Sequence, residues 1–173
     1  YSIMTTPFGN LMLAYTAKGL CSVKFGKSEI ELFQILWAEF PQAEIVATDS
    51  YGSQWEAALQ DYFSGVPISK NLPIDIHDTV FRQKVWDALR EIPYGETRSY
   101  SEVAESIGQP TAVRAVASAC AANPIAIVTP CHRVIHSDGS ISGYRWGTKI
   151  KEGLLEVEKK MKMDPARSTG KSA

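Results

Sequence analysis

The chain has 173 residues, 45% of them hydrophobic and 21% charged, with 12 glycines, 9 prolines and a formal net charge of −1. Those ordinary globular values exclude disordered, collagenous and low-complexity chains, and this length buries enough surface to fold unaided. No apolar run reaches the ~18 residues of a membrane span, and no basic segment followed by an apolar stretch opens the chain as a signal peptide would.

Three cysteines, Cys21, Cys120 and Cys131, form no close pair. A disulfide framework is therefore not expected, and a reducing setting is: cytoplasmic, or nuclear in a eukaryote. The Tyr1 start leaves room for a piece upstream.

In chain order, Leu11–Thr16 and Leu20–Phe25 read as short strands of a meander, with turns at Gly9-Asn10 and Lys18-Gly19. Ser28 with Glu31 caps a helix carrying Leu32, Ile35, Leu36 and Phe40, which Pro41 stops. A second amphipathic helix spans Ser53–Phe63, with Trp55, Leu59 and Tyr62 on one face. Val66–His77 reads as a linker ending in an extended piece, so the division expected is an α/β unit over 1–77 and a mostly helical unit over 78–160, followed by a tail over 161–173.

In the second unit, Thr79 precedes a helix with Val85, Trp86 and Leu89 on its apolar face, stopping at Pro93-Tyr94-Gly95. Ser99 and Glu102 make a capping box for a helix from Tyr100 to about Ile107. After Gly108-Gln109-Pro110, Thr111–Ala122 is helical again. Two short helices around a Gly-containing turn of three or four residues describe a helix-turn-helix. Ile125–Val128 reads as a strand running into Thr129-Pro130-Cys131-His132-Arg133-Val134. Ser137-Asp138-Gly139 is a turn, and Lys149–Glu158 a final helix.

Charge is unevenly spread. Residues 1–77 carry four lysines, no arginine and eight acids, a net of −4, whereas residues 78–173 have a net of +3 and all seven arginines. No acid occurs from Ser106 to Ser137, where Arg114 and Arg133 lie. Two readings fit: a buried segment that excludes charge, or a face toward a polyanion. The second helix of the pair is likewise open to two readings. Its small residues suit a packed core helix, or close approach to a narrow groove with Arg114 inserted.

Cys131-His132 offers a thiol beside an imidazole able to take its proton. In an extended strand the two would point to opposite faces, so a water or an irregular backbone at Pro130 is needed to couple them. Such coupling predicts that Cys131 reacts with electrophiles at neutral pH faster than Cys21 or Cys120. A structural thiol beside a surface histidine is the plainer alternative. The cysteines and His77, His132 and His136 lack metal-ligand spacing, so no metal is expected.

Pro130-Cys131-His132-Arg133-Val134 resembles the signature of the O6-alkylguanine-DNA alkyltransferases. So, in order and spacing, do Ile92 to Tyr100, Arg114-Ala115-Val116-Ala117, Asn123-Pro124 and Ser142-Gly143-Tyr144-Arg145-Trp146-Gly147. The resemblance covers about Phe81 to Glu158 and implies an RNase H-like α/β domain followed by a helical domain with a helix-turn-helix. It implies single-turnover transfer of an alkyl group from O6-alkylguanine in double-stranded DNA to Cys131, and leaves O4-alkylthymine open as a second donor. His132 would be the base through a water, and Glu158 would orient it.

Asn123 would tie the helix pair to the active-site segment, Tyr100 would contact guanine N3, and Arg114 would replace the extruded base. Thr111, Ala112, Ala115, Ser118 and Arg133 would join Arg114 and Tyr100 at the DNA. The carbonyls of Cys131 and Val134 would receive the guanine amino group, with Ile141 and Tyr144 lining the alkyl pocket and the Arg145 amide near O6.

An alkyl group on O6 lies inside the duplex, so the base must be flipped to meet a thiolate, and guanine leaves well only when hydrogen bonds or a proton meet its developing charge. The thioether product has no good leaving group, so one event ends the reaction. Nothing here requires a metal or organic cofactor, and a monomer is expected. Rivals are the alkyltransferase half of an Ada-type regulator, an alkyltransferase-like binder lacking the acceptor cysteine, and an unrelated cysteine hydrolase.

Overall fold

The computed structural model describes residues 1–48, 52–141 and 143–163. Ser142 of the Gly-Tyr-Arg-Trp motif and residues 164–173 of the expected tail lie outside the described residues. Strands β1 (Ser2–Thr6), β2 (Gly9–Thr16) and β3 (Gly19–Gly26) form an antiparallel sheet in that order. The sequence reading missed β1. It also placed the first turn too late: Thr6 pairs with Gly9, so Pro7 and Phe8 make the turn. The second turn is likewise one residue earlier, since Thr16 pairs with Gly19.

Ala14 pairs with Ser22 and Tyr15 with Leu20, which leaves Cys21 as the extra residue of a bulge. The bulge puts Leu20 on the same face as Val23 and Phe25. That face packs on helix α2 (Ser53–Phe63) through Trp55, Leu59 and Tyr62, each 1% exposed or less. Side chains of that size stabilise the fold by about 1.5–3 kcal/mol apiece when buried. The opposite face, with Met12, Ala14 and Cys21, packs on Leu32 and Leu36 of α1 (Glu29–Glu39), whose first turn Ser28 caps.

The outer edge of β3 is covered by two later segments. Leu20 bridges in parallel to Ile74 and Val23 to Ile125. Gly19 makes the first approach feasible, because a Cβ there would lie 2.5 Å from the Pro73 carbonyl oxygen. Residues 66–77 thus end as a strand-like addition to the sheet.

Helices α3 (Val80–Arg90), α4 (Tyr100–Ser106) and α5 (Val113–Ala121) surround a second core of Val85, Trp86, Leu89, Val103, Val116 and Ala119. Thr79 caps α3, and Ser99 with Glu102 forms the capping box of α4. The Trp86 indole N–H donates to the Ala119 carbonyl at 2.9 Å and ties α3 to α5. The connection between α4 and α5 runs from Ile107 to Ala112, longer than expected, with Gly108 at φ +73°.

The expected strand over Ile125–Val128 is not formed. After the single bridge at Ile125 the backbone folds on itself, with Val128 N–H on Ala126 O at 2.7 Å and Thr129 N–H on Ile125 O at 3.1 Å. Cys131–Arg133 is a 3-10 turn, leading into β5 (Val134–Ile135). Strand β4 (Arg98–Ser99) pairs with β5 in parallel, setting the start of α4 beside the cysteine segment. Helix α6 (Thr148–Met163) runs past the expected end at Glu158 into the tail, and turns Lys151, Leu154 and Glu158 inward, all 0% exposed. Among the described residues no helix is long and apolar enough to cross a membrane.

Candidate active site

Two tight turns shape the backbone that carries Cys131. Ile127 has φ +68° beneath the Val128-to-Ala126 bond, the strained hand of a γ-turn for a β-branched residue. Pro130 (φ −83°, ψ 60°) lies under a bond from Cys131 N–H to Thr129 O at 2.8 Å, an inverse γ-turn. Cys131 and His132 therefore leave a turn rather than a strand.

Asn123 sits at the hinge between α5 and this segment, fully buried. Its Oδ1 accepts the Ile125 N–H at 3.1 Å, which fixes the amide orientation and aims Nδ2 at Thr129 O (2.8 Å) and Cys131 Sγ (3.1 Å). Burial pushes the Cys131 thiol up to about 11, partly offset by the Asn123 bond and the Lys151 and Arg145 charges. In the free protein burial therefore favours the neutral thiol, so proton removal has to accompany the reaction. Cys21 is raised to about 11 by burial and neighbouring acids, and Cys120 further still by burial and Cys131.

His132 is fully buried, and its Nε2 lies 2.8 Å from Glu158 Oε1. Burial lowers its basicity despite Glu158, so the ring is neutral. Because Glu158 only accepts, Nε2 carries the proton and Nδ1 keeps its lone pair, meeting no hydrogen-bonding group among the described residues. Tyr62 donates to Glu158 at 2.7 Å, and Gly95 N–H donates to its other oxygen at 2.8 Å. Burial opposes the Glu158 charge, but the bonds from His132 and Arg133 outweigh it and hold the carboxyl at about 2.

Arg133 requires a correction. It was expected at the DNA, yet its guanidinium turns inward to Glu158, with Nε and Nη2 at 2.9–3.1 Å, and to the Ile92 carbonyl at 2.7 Å. A carboxylate buried by α6 is costly to leave unpaired, and the Arg133 guanidinium supplies the compensating charge and hydrogen bonds. Sequence reading also missed Tyr62 and Lys151. Lys151 donates to the Val134 carbonyl at 2.6 Å, so the acceptor expected for guanine already holds a cation. The available signal was a lysine and a glutamate at inward positions of the apolar face of α6.

Cys131 opens on a cavity of about 570 Å³ with Tyr100, Arg114, Ala117, Tyr144 and Arg145 on its wall. Ile141, half-buried, is not on that wall. Arg114, Ala115 and Ser118 are exposed along one side of α5, Ala112 is its N-cap, and Thr111 is exposed in the turn just before it. Tyr144 packs edge-on to Trp146 at 5.1 Å with its hydroxyl buried, and burial raises its ionisation well above the usual phenol range. Arg145 stacks over Trp146 at 5.8 Å.

Residues 80–160 match the DNA binding domain of 6-O-methylguanine DNA methyltransferase, and residues 1–76 match its ribonuclease-like domain. The chain is 42% identical over 158 residues to the bifunctional transcriptional activator/DNA repair enzyme Ada of Escherichia coli, covering 91% of this chain but 45% of Ada. It thus spans about half the length of that relative. Identity is 44% over 160 residues to a methylated-DNA–protein-cysteine methyltransferase of Methanosarcina barkeri, covering 91% of this chain and 96% of that one. The crystal structure of Mycobacterium tuberculosis OGT in complex with DNA superposes with a TM-score of 0.77 at 38% identity over 92% of each chain.

Proposed function

The chain belongs to the 6-O-methylguanine DNA methyltransferase family, and from that premise we propose that it repairs O6-alkylguanine in double-stranded DNA by moving the alkyl group to Cys131. The observation that carries the reading is the Asn123-held Sγ on a cavity whose wall includes Arg114 of the exposed α5 face. Helices α4 and α5 act as the helix-turn-helix, with Thr111, Ala112, Ala115 and Ser118 against the backbone and Arg114 filling the space of the extruded base. The small side chains there read no base edge, which suits a protein that inspects any sequence.

The neutral thiol loses its proton through one water to His132 Nδ1, and Glu158, ionised at about 2, balances the imidazolium that forms. The Sγ–carbon bond forms as the carbon–O6 bond breaks, and its electron pair stays on guanine. Tyr100 hydrogen-bonds N3 and the Arg145 amide lies near O6, which steadies the developing anion, and the proton held by His132 passes back through water to guanine, which leaves as the neutral base. Tyr144 bounds the alkyl group. No step regenerates the thiol.

Incubation with DNA bearing O6-methylguanine adds one methyl mass per chain, mapped to the Cys131 peptide, and Cys131→Ser adds none. Repair beyond one equivalent overturns the reading. Identity to Ada supports a second one, the repair half of a longer regulator; strong preference for one DNA sequence would favour it.

A further inference from the structure

His136 lies on the same cavity, on the loop that follows β5, and the repair chemistry above leaves it unused. The loop holds it in place: its N–H donates to Ser140 O at 3.1 Å, and Gly139 N–H donates to its carbonyl at 2.9 Å. Its ring centroid is 5.5 Å from that of Tyr100, tilted by 54°. Tyr100 faces it from α4, and Lys151 of α6 stands 5.9 Å from the Tyr100 ring centroid. Arg114 of α5 and Arg145 share the cavity wall, where no carboxylate occurs among the described residues. On its own loop the nearby acid is Asp138, whose carboxylate accepts the Ser140 N–H at 2.9 Å.

An extruded nucleotide stays joined to two phosphodiesters, which must pass the rim of whatever cavity takes its base. Arg114 and Arg145 meet such an anion at any pH, whereas an imidazole meets it as a cation only on the acid side. Resting on the repair reading, we propose that His136 is a DNA-backbone contact: as imidazolium it binds a phosphodiester flanking the extruded nucleotide, while its ring steadies Tyr100.

The test uses the full chain carrying Cys131→Ser, so that binding to a duplex with one O6-methylguanine is not depleted by transfer. Affinity is measured over a fourfold rise in salt, at about pH 5 and about pH 8.5, the two sides of the histidine charge change. His136→Phe keeps a flat ring without charge, and His136→Gln keeps a hydrogen-bond donor without charge. At the acid pH both substitutions reduce the slope of log affinity against log salt by about 0.9, one phosphate's worth, so the parent weakens about 3.5-fold more than the variants across that rise. At the alkaline pH the slopes coincide. His77, beside Asp75 on the first unit, is common to all the proteins compared, so its contribution cancels. Unchanged slopes at acid pH, or an equal reduction at both, overturn the phosphate contact while leaving lesion binding by the parent intact. A parent that does not bind methylated DNA overturns the repair reading and this one together.

Discussion

Replacing Arg133 with alanine separates a buried structural charge from a DNA contact. The guanidinium places Nε 3.1 and 2.9 Å from the two Glu158 oxygens, Nη2 2.9 Å from Oε1, and Nη1 2.7 Å from the Ile92 carbonyl. Truncation leaves a carboxylate at 0% exposure without its cation. Breaking one side of such a pair costs about 3–5 kcal/mol, a large share of the ~5–15 kcal/mol that holds a domain folded. Urea unfolding followed by tryptophan fluorescence reads the loss as a lower midpoint. Adding Glu158→Gln to Arg133→Ala recovers part of it, because glutamine leaves no charge to bury, and the double-mutant coupling lies at ~0.5–3 kcal/mol. A variant within about 0.5 kcal/mol of wild type, as for an exposed site, with a DNA-binding salt slope smaller by about 0.9, would refute the inward role and restore the backbone contact.

Three further outcomes follow from the same geometry. His132 and Glu158 are both shifted down in the fold, so the unfolded chain binds protons more readily and acid destabilises. The His132 contribution is whole above the ordinary histidine value of about 6.5 and fades below it. That of Glu158 fades from its ordinary 4.5 toward about 2, so Glu158→Gln flattens the acid limb of the urea midpoint, and a midpoint that rises in acid refutes the assignment. With its thiol at about 11, Cys131 in DNA-free protein is labelled by a small electrophile at a rate that climbs roughly tenfold per pH unit above neutrality; a plateau near pH 7 would mean a resting thiolate. Arg114→Ala slows repair less when the lesion sits in a mismatch or single strand, where unstacking is easier; equal slowing on all substrates in transfer assays would mark it as structural.

Much of the helical frame was legible because its signals are local. Ser28, Thr79 and Ser99 each accept an N–H three residues on, so their caps depend on no other part of the chain. Cys131 and His132 drew notice as a thiol beside an imidazole at adjacent positions, whereas Asn123 entered only through the motif resemblance, although its bonds to Thr129 and Cys131 span at most eight positions. Strand β1 was not legible, because it is defined by pairing with β2 rather than by its own pattern.

Glu158 bonds Tyr62 across 96 positions, Gly95 across 63 and His132 across 26. Whether Arg133 faces DNA or the interior, and whether the Cys131 thiol rests neutral, turns on desolvation. That cost depends on how many distant elements close over a group and which bonds they bring to offset it. Only the meeting of α2, the 3-10 turn and α6 decides that balance here, and it draws Arg133 inward, leaves His132 neutral and keeps the Cys131 proton in place in the free protein.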